Sequence, residues 1–351
     1  MHRKNVVTIG GGSGQFSLLS GLRDLKDIDI TAVVSMFDSG GSTGKMREEF
    51  GVLPPGDILK CLIALSPNRD IAQKILLKKI NGHKKLAGHN SGNMLLTIFS
   101  SYTGNFPDAV NAISEILEVR GKVLPVTIDK ATLAAELIDK NRIYGESTID
   151  IPDSGERKEI SEVFLVPHYS SSVSAYHPVV EAINNADHII IGPGDLFTSI
   201  IPPLIVFGVT EAIQESKAQI IYILNIMTKN GETNNYSSLD FVHRIEECLE
   251  KNVNAVVYND SVPPREILKK YSDHYCDFVR IGQSYRRLPN HILYSSDMLR
   301  IEDGKVRHDP VKLVNSVLQI MRRPSASIGN DLKQHGEMTK LQFFDPPNLI
   351  Q

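Results

Sequence analysis

The feature that most restricts the fold is a recurring unit. A short run of β-branched and apolar residues stops at a polar turn, usually glycine-rich, and the chain then passes into apolar residues at helical spacing. Residues 5–9 enter the turn Gly10-Gly11-Gly12-Ser13-Gly14, after which Phe16, Leu18, Leu19, Leu22 and Leu25 recur at helical spacing. Residues 30–36 enter Phe37-Asp38-Ser39-Gly40-Gly41-Ser42-Thr43-Gly44. Residues 186–192 end in Gly192-Pro193-Gly194-Asp195, with Thr198 and Ser199 opening the next apolar segment, and residues 219–224 end in the polar loop 225–233. Alternating strand and helix signals predict βα units, and repeated βα units build a parallel sheet covered by helices. The expected fold is α/β and Rossmann-like, a three-layer α/β/α arrangement with a mainly parallel sheet.

Residues 132–149 break this pattern. Alternating apolar residues flank Lys140-Asn141 and lead to Gly145 and Glu146, which predicts a β-ribbon excursion, suited to a lid or a homodimer contact, with 162–167 as a returning strand. The expected organisation is one domain over 1–321, with the ribbon at about 130–150, followed by a C-terminal tail over 322–351.

The 351 residues, 41% hydrophobic and 23% charged, supply a full core. A net charge of −3 argues against nucleic acid as a partner, because phosphate backbones are met by strongly basic faces, but it leaves small anionic ligands open. Cys61, Cys248 and Cys276 are widely spaced with no CxxC pair, which predicts neither a disulfide framework nor a zinc site, and a reducing compartment. The apolar stretch 196–209 contains Pro202-Pro203 and falls short of the roughly 20 residues that span a bilayer. The apolar run after the basic start MHRKN is too short for a secretion signal. A soluble, cytoplasmic chain with no membrane span is expected.

The turns carry the candidate chemistry, since open α/β sheets place ligands beyond the carboxyl ends of their strands. A helix opening straight after a glycine turn offers free N–H groups and a positive dipole end to a phosphate. Gly10 to Gly14 are the first such candidate, their glycines read as letting a ligand approach the backbone. A dinucleotide fingerprint would need a third glycine where Gln15 stands, which counts against a dehydrogenase. Residues 39–46 imitate a P-loop, but Ser39 replaces its first glycine and Met46 its magnesium-binding hydroxyl, so an NTPase is rejected. Gly40, Gly41, Ser42 and Thr43 can still form an anion-binding nest.

Asp38 has two readings. It is a catalytic candidate or a ligand for a hydroxyl group or a divalent cation such as Mg2+ bridging phosphates, or else it closes an Asx turn. Asp57 reads as a helix N-cap, with Lys60 one turn on, facing a ligand phosphate or solvent. In the loop 88–93, His89 suits acid/base work or phosphate binding, Asn90 ligand contact, and Asn93 ligand contact or capping. Gly192, Gly194 and Thr198 repeat the architecture of the first turn. Glu232 and Thr233 read as contacts to a ribose or sugar, or as an ordinary capping loop. Arg307 carries a forked guanidinium suited to phosphate.

Taken together, IGGGSG, DSGGSTGKMREEFGVLPPGDILKCLIAL, GHNSGNMLL, GKVLPVT, GPGDLFTSIIPPL, NIMTKNGET and VRHD fall in one order across residues 5–321. In that order they resemble the gluconeogenesis factor family, CofD-like proteins related to 2-phospho-L-lactate transferase, which joins a phospholactyl group to a deazaflavin and releases a guanosine nucleotide. The resemblance implies phosphate and nucleotide contacts at Gly11, Gly12, Ser13, Asp38, Gly40, Gly41 and Ser42, and also at His89, Asn93, Asn225, Thr228 and Arg307. For gluconeogenesis factors it implies binding of UDP-activated amino sugars, UDP-N-acetylglucosamine above all, regulatory protein partners, and a link from carbon metabolism to envelope growth and cell shape. The chain departs from the family at Ser39, where a second acid is usual, at Asp195, where a serine is usual, and at Phe241, where a histidine is usual. In the transferase the paired acids sit at the acceptor and metal region. The enzymatic alternative is a phosphotransferase with a nucleoside-diphosphate donor and Mg2+ near Asp38. Because the motifs assemble no nucleophile with an oriented base, regulatory binding is the leading expectation.

Overall fold

The computed structural model describes residues 3–80, 88–152, 157–281 and 291–322. Its strands, in chain order, are β1 (Lys4–Gly10), β2 (Ile28–Val34), β3 (Lys122–Pro125), β4 (Ala131–Leu137), β5 (Arg142–Tyr144) and β6 (Ile160–Pro167). They continue as β7 (His188–Ile191), β8 (Gln219–Ile223), β9 (Ala255–Asn259), β10 (Ile292–Ser296), β11 (Leu299–Glu302) and β12 (Lys305–His308). Seven of them form one sheet in the order β10-β9-β8-β7-β1-β2-β3, and every pairing in it is parallel. Parallel strands are covered on both faces and read as unbroken apolar runs. Accordingly β7 and β8 are buried at every residue.

The first five helices are α1 (Gly12–Leu22), α2 (Gly41–Phe50), α3 (Gly56–Leu65), α4 (Arg69–Leu76) and α5 (Ser91–Thr103). α1 packs between α3 and the C-terminal helix Pro310–Met321, while Val209–Glu215 packs between His177–Asn184 and Ser238–Leu249. These two groups are the outer layers of the α/β/α arrangement. α3 buries Ile58, Leu59, Cys61, Leu62, Ile63, Ala64 and Leu65, which is why DILKCLIAL is apolar almost all round. From β1 the chain crosses by α1 to β2, and from β7 it crosses in the opposite direction to β8. β1 and β7 are neighbours, so a topological switch point lies between their carboxyl ends, where such sheets leave a crevice.

The ribbon is a three-stranded antiparallel sheet, β5-β4-β6, and β11 pairs antiparallel with β12. Ala131, Leu133, Ala134, Ala135 and Leu137 of β4 are buried inside the chain itself. The apolar content that suggested a dimer contact is thus covered by the protein's own body. α3 begins at Gly56 with Pro55 as its N-cap and no side-chain cap, so Asp57 lies in the first turn and does not cap it. No helix among the described residues is long and apolar enough to cross a membrane. The tail from 323 to 351 lies outside the described residues, as does the side chain of Lys45.

Candidate functional site

At the switch point a crevice of about 420 Å³ opens, lined by Ser13, Gly14, Gly194, Asn225, Thr228 and Arg307 among others. The sequence places these residues in four separate segments, and the parallel sheet brings their turns to one edge. β1 ends at Gly10, Gly11 is the N-cap of α1, and no side chain caps that helix, so the N–H groups of its first turn have no capping partner.

The glycines of this turn make room for the chain itself. A Cβ on Gly12 would stand 2.6 Å from the Asp57 Cα, one on Gly11 would stand 2.8 Å from Ser199 Oγ, and one on Gly14 would stand 1.8 Å from the Pro193 carbonyl oxygen. α3 and the β7 loop therefore pack directly on the first turn of α1 on the side where these Cβ atoms would lie. Gln15 explains the missing third glycine. It is buried, accepts from Thr8 Oγ1 at 2.5 Å, and donates to the carbonyls of Gly10 and Val33 at 2.9 Å each, tying β1 to β2 across the space a dinucleotide turn would need.

On the other side of β1, Asp38 accepts from the Gly40 N–H at 2.8 Å and bonds the Thr43 hydroxyl. The Asx-turn reading is thus realised, and Thr43 is buried in it. Burial, together with the charge of Asp57, raises the Asp38 carboxyl above its ordinary range, against the Gly40 N–H, Lys60 and Thr43. Lys60 donates to Asp57 at 2.9 Å and to Ser13 Oγ at 3.1 Å, bridging the first turn of α1 to the first turn of α3.

The third carboxylate here comes from the ribbon. Glu146, just after Gly145, accepts from the Ser39 N–H at 3.2 Å, and the Ser147 N–H donates to Ser39 Oγ at 3.0 Å. Ser39, beside Asp38, thus docks an acid from 107 residues away. Burial first, then Asp38, pushes the Glu146 carboxyl up to about 8. A group held above its ordinary value of 4.5 stabilises the fold fully below that value and less as pH rises through about 8. The melting temperature should therefore fall between pH 5 and pH 9, and Glu146→Gln should flatten the curve. Superimposable curves for the two proteins would refute this.

His89 and Asn93 meet Ser42: His89 Nδ1 lies 3.1 Å from Ser42 Oγ, and Asn93 Nδ2 donates to the same oxygen at 3.3 Å. Both are buried, and Asn93 Oδ1 has no partner among the described residues. Asn90 is the N-cap of α5, its Oδ1 accepting from the Asn93 N–H at 2.7 Å, so that oxygen serves the helix.

The loop after β8 is divided between crevice and packing. Asn225 donates to the Gly194 carbonyl at 2.8 Å, and Thr228 accepts from the Asp277 N–H at 2.7 Å; both line the crevice. Gly192, with φ of +83°, turns β7 into it. Glu232 and Thr233, by contrast, are 2 % exposed and face inward. The Phe197 N–H and the Thr198 hydroxyl each donate to Glu232 at 3.2 Å, and Thr233 accepts from the Lys229 N–H at 2.9 Å. Thr198 of the second glycine turn, and Glu232 and Thr233, read as sugar contacts, are engaged here in bonds that hold the loop.

Lys229 is the centre of that packing. Its ammonium binds Asp150, lies 2.7 Å from Asp195 and 2.9 Å from Glu232. The three carboxylates are close enough to hold a metal ion, but the ammonium already satisfies them. Burial pushes the Glu232 carboxyl up to about 7 against the pull of Lys229, while the carboxylates raise Lys229. Asp38 and Asp57 are a second pair of hard oxygen donors, repelling each other, with Lys60 bonded to Asp57 at 2.9 Å.

Sequence reasoning missed Glu146, Asp150, Lys229 and Tyr271 as site residues. Tyr271 lines the crevice and accepts from the Val306 N–H at 2.8 Å, fixing the strand that carries Arg307. These pairings span loops far apart in the chain and leave no spacing signal.

Residues 6–296 match the family model described as 2-phospho-L-lactate transferase CofD. The chain belongs to the CofD family. CofD-family relatives include a putative gluconeogenesis factor from Thermotoga maritima, 38% identical over 90% of this chain and 99% of that protein. A gluconeogenesis factor from Listeria innocua is 37% identical over 91% of this chain and 96% of its own length. A crystal structure of a UPF0052-family protein from Bacillus halodurans superposes with a TM-score of 0.83 at 34% identity, covering 90% of this chain and all of that one. The CofD-like α/β fold expected from the motifs is the fold observed.

Proposed function

We propose that the protein is a regulatory nucleotide-sugar-binding protein of the gluconeogenesis factor type. Its ligand is a UDP-activated amino sugar, most simply UDP-N-acetylglucosamine, and its output is a link between carbon metabolism and envelope growth and cell shape through protein partners. The observation that carries the reading is the switch-point crevice of about 420 Å³, which joins the uncapped first turn of α1 to Asn225, Thr228 and the exposed Arg307. The diphosphate rests on that turn, between the α1 N-terminus and Arg307, and the remaining crevice takes the nucleoside and sugar.

Calorimetric titration with UDP-N-acetylglucosamine, GDP and NADH, each with and without Mg2+, tests it. A response to the UDP sugar alone, independent of Mg2+, is expected. Equal binding of free phosphate and every nucleotide would remove the reading. Arg307→Ala should weaken UDP-sugar binding by about 1.5–3 kcal/mol, the worth of hydrogen bonds to a charged group. An unchanged isotherm would place Arg307 in solvent.

A second reading rests on the carboxylates around Asp38. With Mg2+ held by Asp38 and Asp57, the ion would neutralise charge on a departing diphosphate, as in a CofD-like transferase with a nucleoside-diphosphate donor. Binding of GDP that requires Mg2+ and is lost in Asp38→Asn favours it.

A further inference from the structure

Val306-Arg307-His308-Asp309 closes β12 and opens the C-terminal helix, and one of these four residues holds a polar atom that the fold does not use. Val306 is buried, and its N–H donates to the Tyr271 hydroxyl at 2.8 Å. Arg307 is exposed beside the crevice. Asp309 caps the helix Pro310–Met321, its Oδ1 accepting from the N–H groups of Val311 and Lys312 at 3.0 Å each. His308 is the exception. It lines the crevice, and its Nε2 is buried with no hydrogen-bond partner among the described residues. Buried polar side-chain atoms are ordinarily bonded.

Burial first, and then the charge of Arg307, lowers the His308 imidazole to about 4 against the pull of the Leu224 carbonyl, so the ring is neutral near pH 7. A neutral imidazole has one N–H and one lone pair. The N–H goes to the Leu224 carbonyl, just past β8. Nε2, left without a partner, is therefore the lone-pair nitrogen. We propose that His308 Nε2 accepts a hydrogen bond from a sugar hydroxyl flanking the ligand's diphosphate, and so reserves the crevice for ligands in which a sugar adjoins the phosphates. The inference rests on the nucleotide-sugar reading above. The oxygens of an ionised diphosphate are acceptors only and leave this lone pair unsatisfied. The Asn225 amide is committed to the Gly194 carbonyl at 2.8 Å. Arg307 and His308 are neighbours in the chain, with Cα atoms about 3.8 Å apart. When Arg307 holds the diphosphate, the groups within reach of His308 are those bonded directly to it, ribose on one side and hexose on the other. Both carry hydroxyls, and uracil lies a whole ribose further away. A site whose buried acceptor goes unpaired rejects the analogue that lacks the donor.

Calorimetric titration of the full chain with UDP-N-acetylglucosamine, UDP, 2′-deoxy-UDP, 3′-deoxy-UDP, 3-methyl-UDP and pyrophosphate tests this. His308→Phe keeps a ring and removes the acceptor. It should bind UDP-N-acetylglucosamine about 10- to 100-fold more weakly with pyrophosphate binding unchanged, and His308→Gln, whose amide oxygen accepts, should recover most of the loss. If ribose supplies the hydroxyl, one of the deoxy-UDP analogues binds the native protein more weakly than UDP by a similar factor. If the hexose supplies it, both analogues match UDP, and UDP-N-acetylglucosamine binds more tightly than UDP by that factor. These comparisons use native protein and keep the test informative if the variants fail to fold. Equal affinity of the native protein and His308→Phe for UDP-N-acetylglucosamine overturns the inference alone and leaves the nucleotide-sugar reading standing. A loss that extends equally to pyrophosphate overturns it too, because the histidine then only shapes the crevice. So does a penalty for 3-methyl-UDP that vanishes in His308→Phe, which gives the acceptor to uracil. No response of the native protein to either UDP or its sugar removes the reading above and this inference with it.

Discussion

Gly14→Ala is expected to destabilise the fold by about 3 kcal/mol or more, the upper end of what overpacking costs. The added methyl would sit 1.8 Å from the Pro193 carbonyl oxygen and 2.6 Å from its carbon, both backbone atoms that no rotamer change can move aside. Either the first turn of α1 or the loop after β7 must shift, and these are the two walls of the switch point. Gly40→Ala is the control: its methyl would meet Asp38 Oδ1 at 3.4 Å, ordinary contact, so the fold should hold. Urea denaturation of both variants gives the answer. Near-native stability of Gly14→Ala would mean that the turn and the Pro193 loop are not packed together as described. The same logic makes Gly12→Val a fold mutation, since its Cβ would stand 2.6 Å from the Asp57 Cα. Lost ligand binding in that variant would say nothing about where a diphosphate rests.

Lys229→Met should destabilise the protein by about 3–5 kcal/mol at pH 7.5, the cost of leaving buried charge without its partner. Glu232 is wholly buried, and the ammonium is the cation that it shares with Asp150 and Asp195. Without it the carboxylates repel one another, and the Glu232 carboxyl is raised further. A carboxyl raised in the folded state costs stability as pH rises through its folded value, so the deficit should be largest at the alkaline end of the range and shrink as the pH falls toward about 7, where Glu232 takes up its proton in the native protein too. Asp195 is 45 % exposed and contributes less than Glu232. Thermal denaturation of the two proteins from pH 4.5 to 8 would show this. A constant difference across that range would mean that lost packing, and not unpaired charge, sets the cost. Because Lys229 ties the ribbon's Asp150 to the loops after β7 and β8, its loss should also loosen the crevice beside Asn225 and Thr228.

Much of the architecture was legible in the chain. Runs such as residues 220–224 are apolar at every position because a parallel strand is covered on both faces, and the polar turns after them mark where helices begin. The motif order identified the CofD family for the same reason: turns at strand ends have fixed local shapes, and local shape constrains local sequence. Asn90, Glu232 and Thr233 were harder to place, because a polar residue in a loop looks the same whether it faces a ligand or its own backbone. Asp57 has a capping residue's composition at the start of a helix, yet Pro55 occupies the cap and Asp57 is drawn to Lys60.

What the sequence determined by itself is the α/β class, the positions of the βα turns and the family, all properties of contiguous residues and their order. Tertiary structure alone decided that the glycines of the first turn accommodate backbone, that Glu146 stands beside Asp38, and that Lys229 fills a carboxylate triad. Each of these depends on side chains brought together from segments roughly 40 to 180 residues apart, the scale of parallel-sheet crossovers. Local spacing carries no record of such meetings, because the energy that selects them exists only once the sheet has formed.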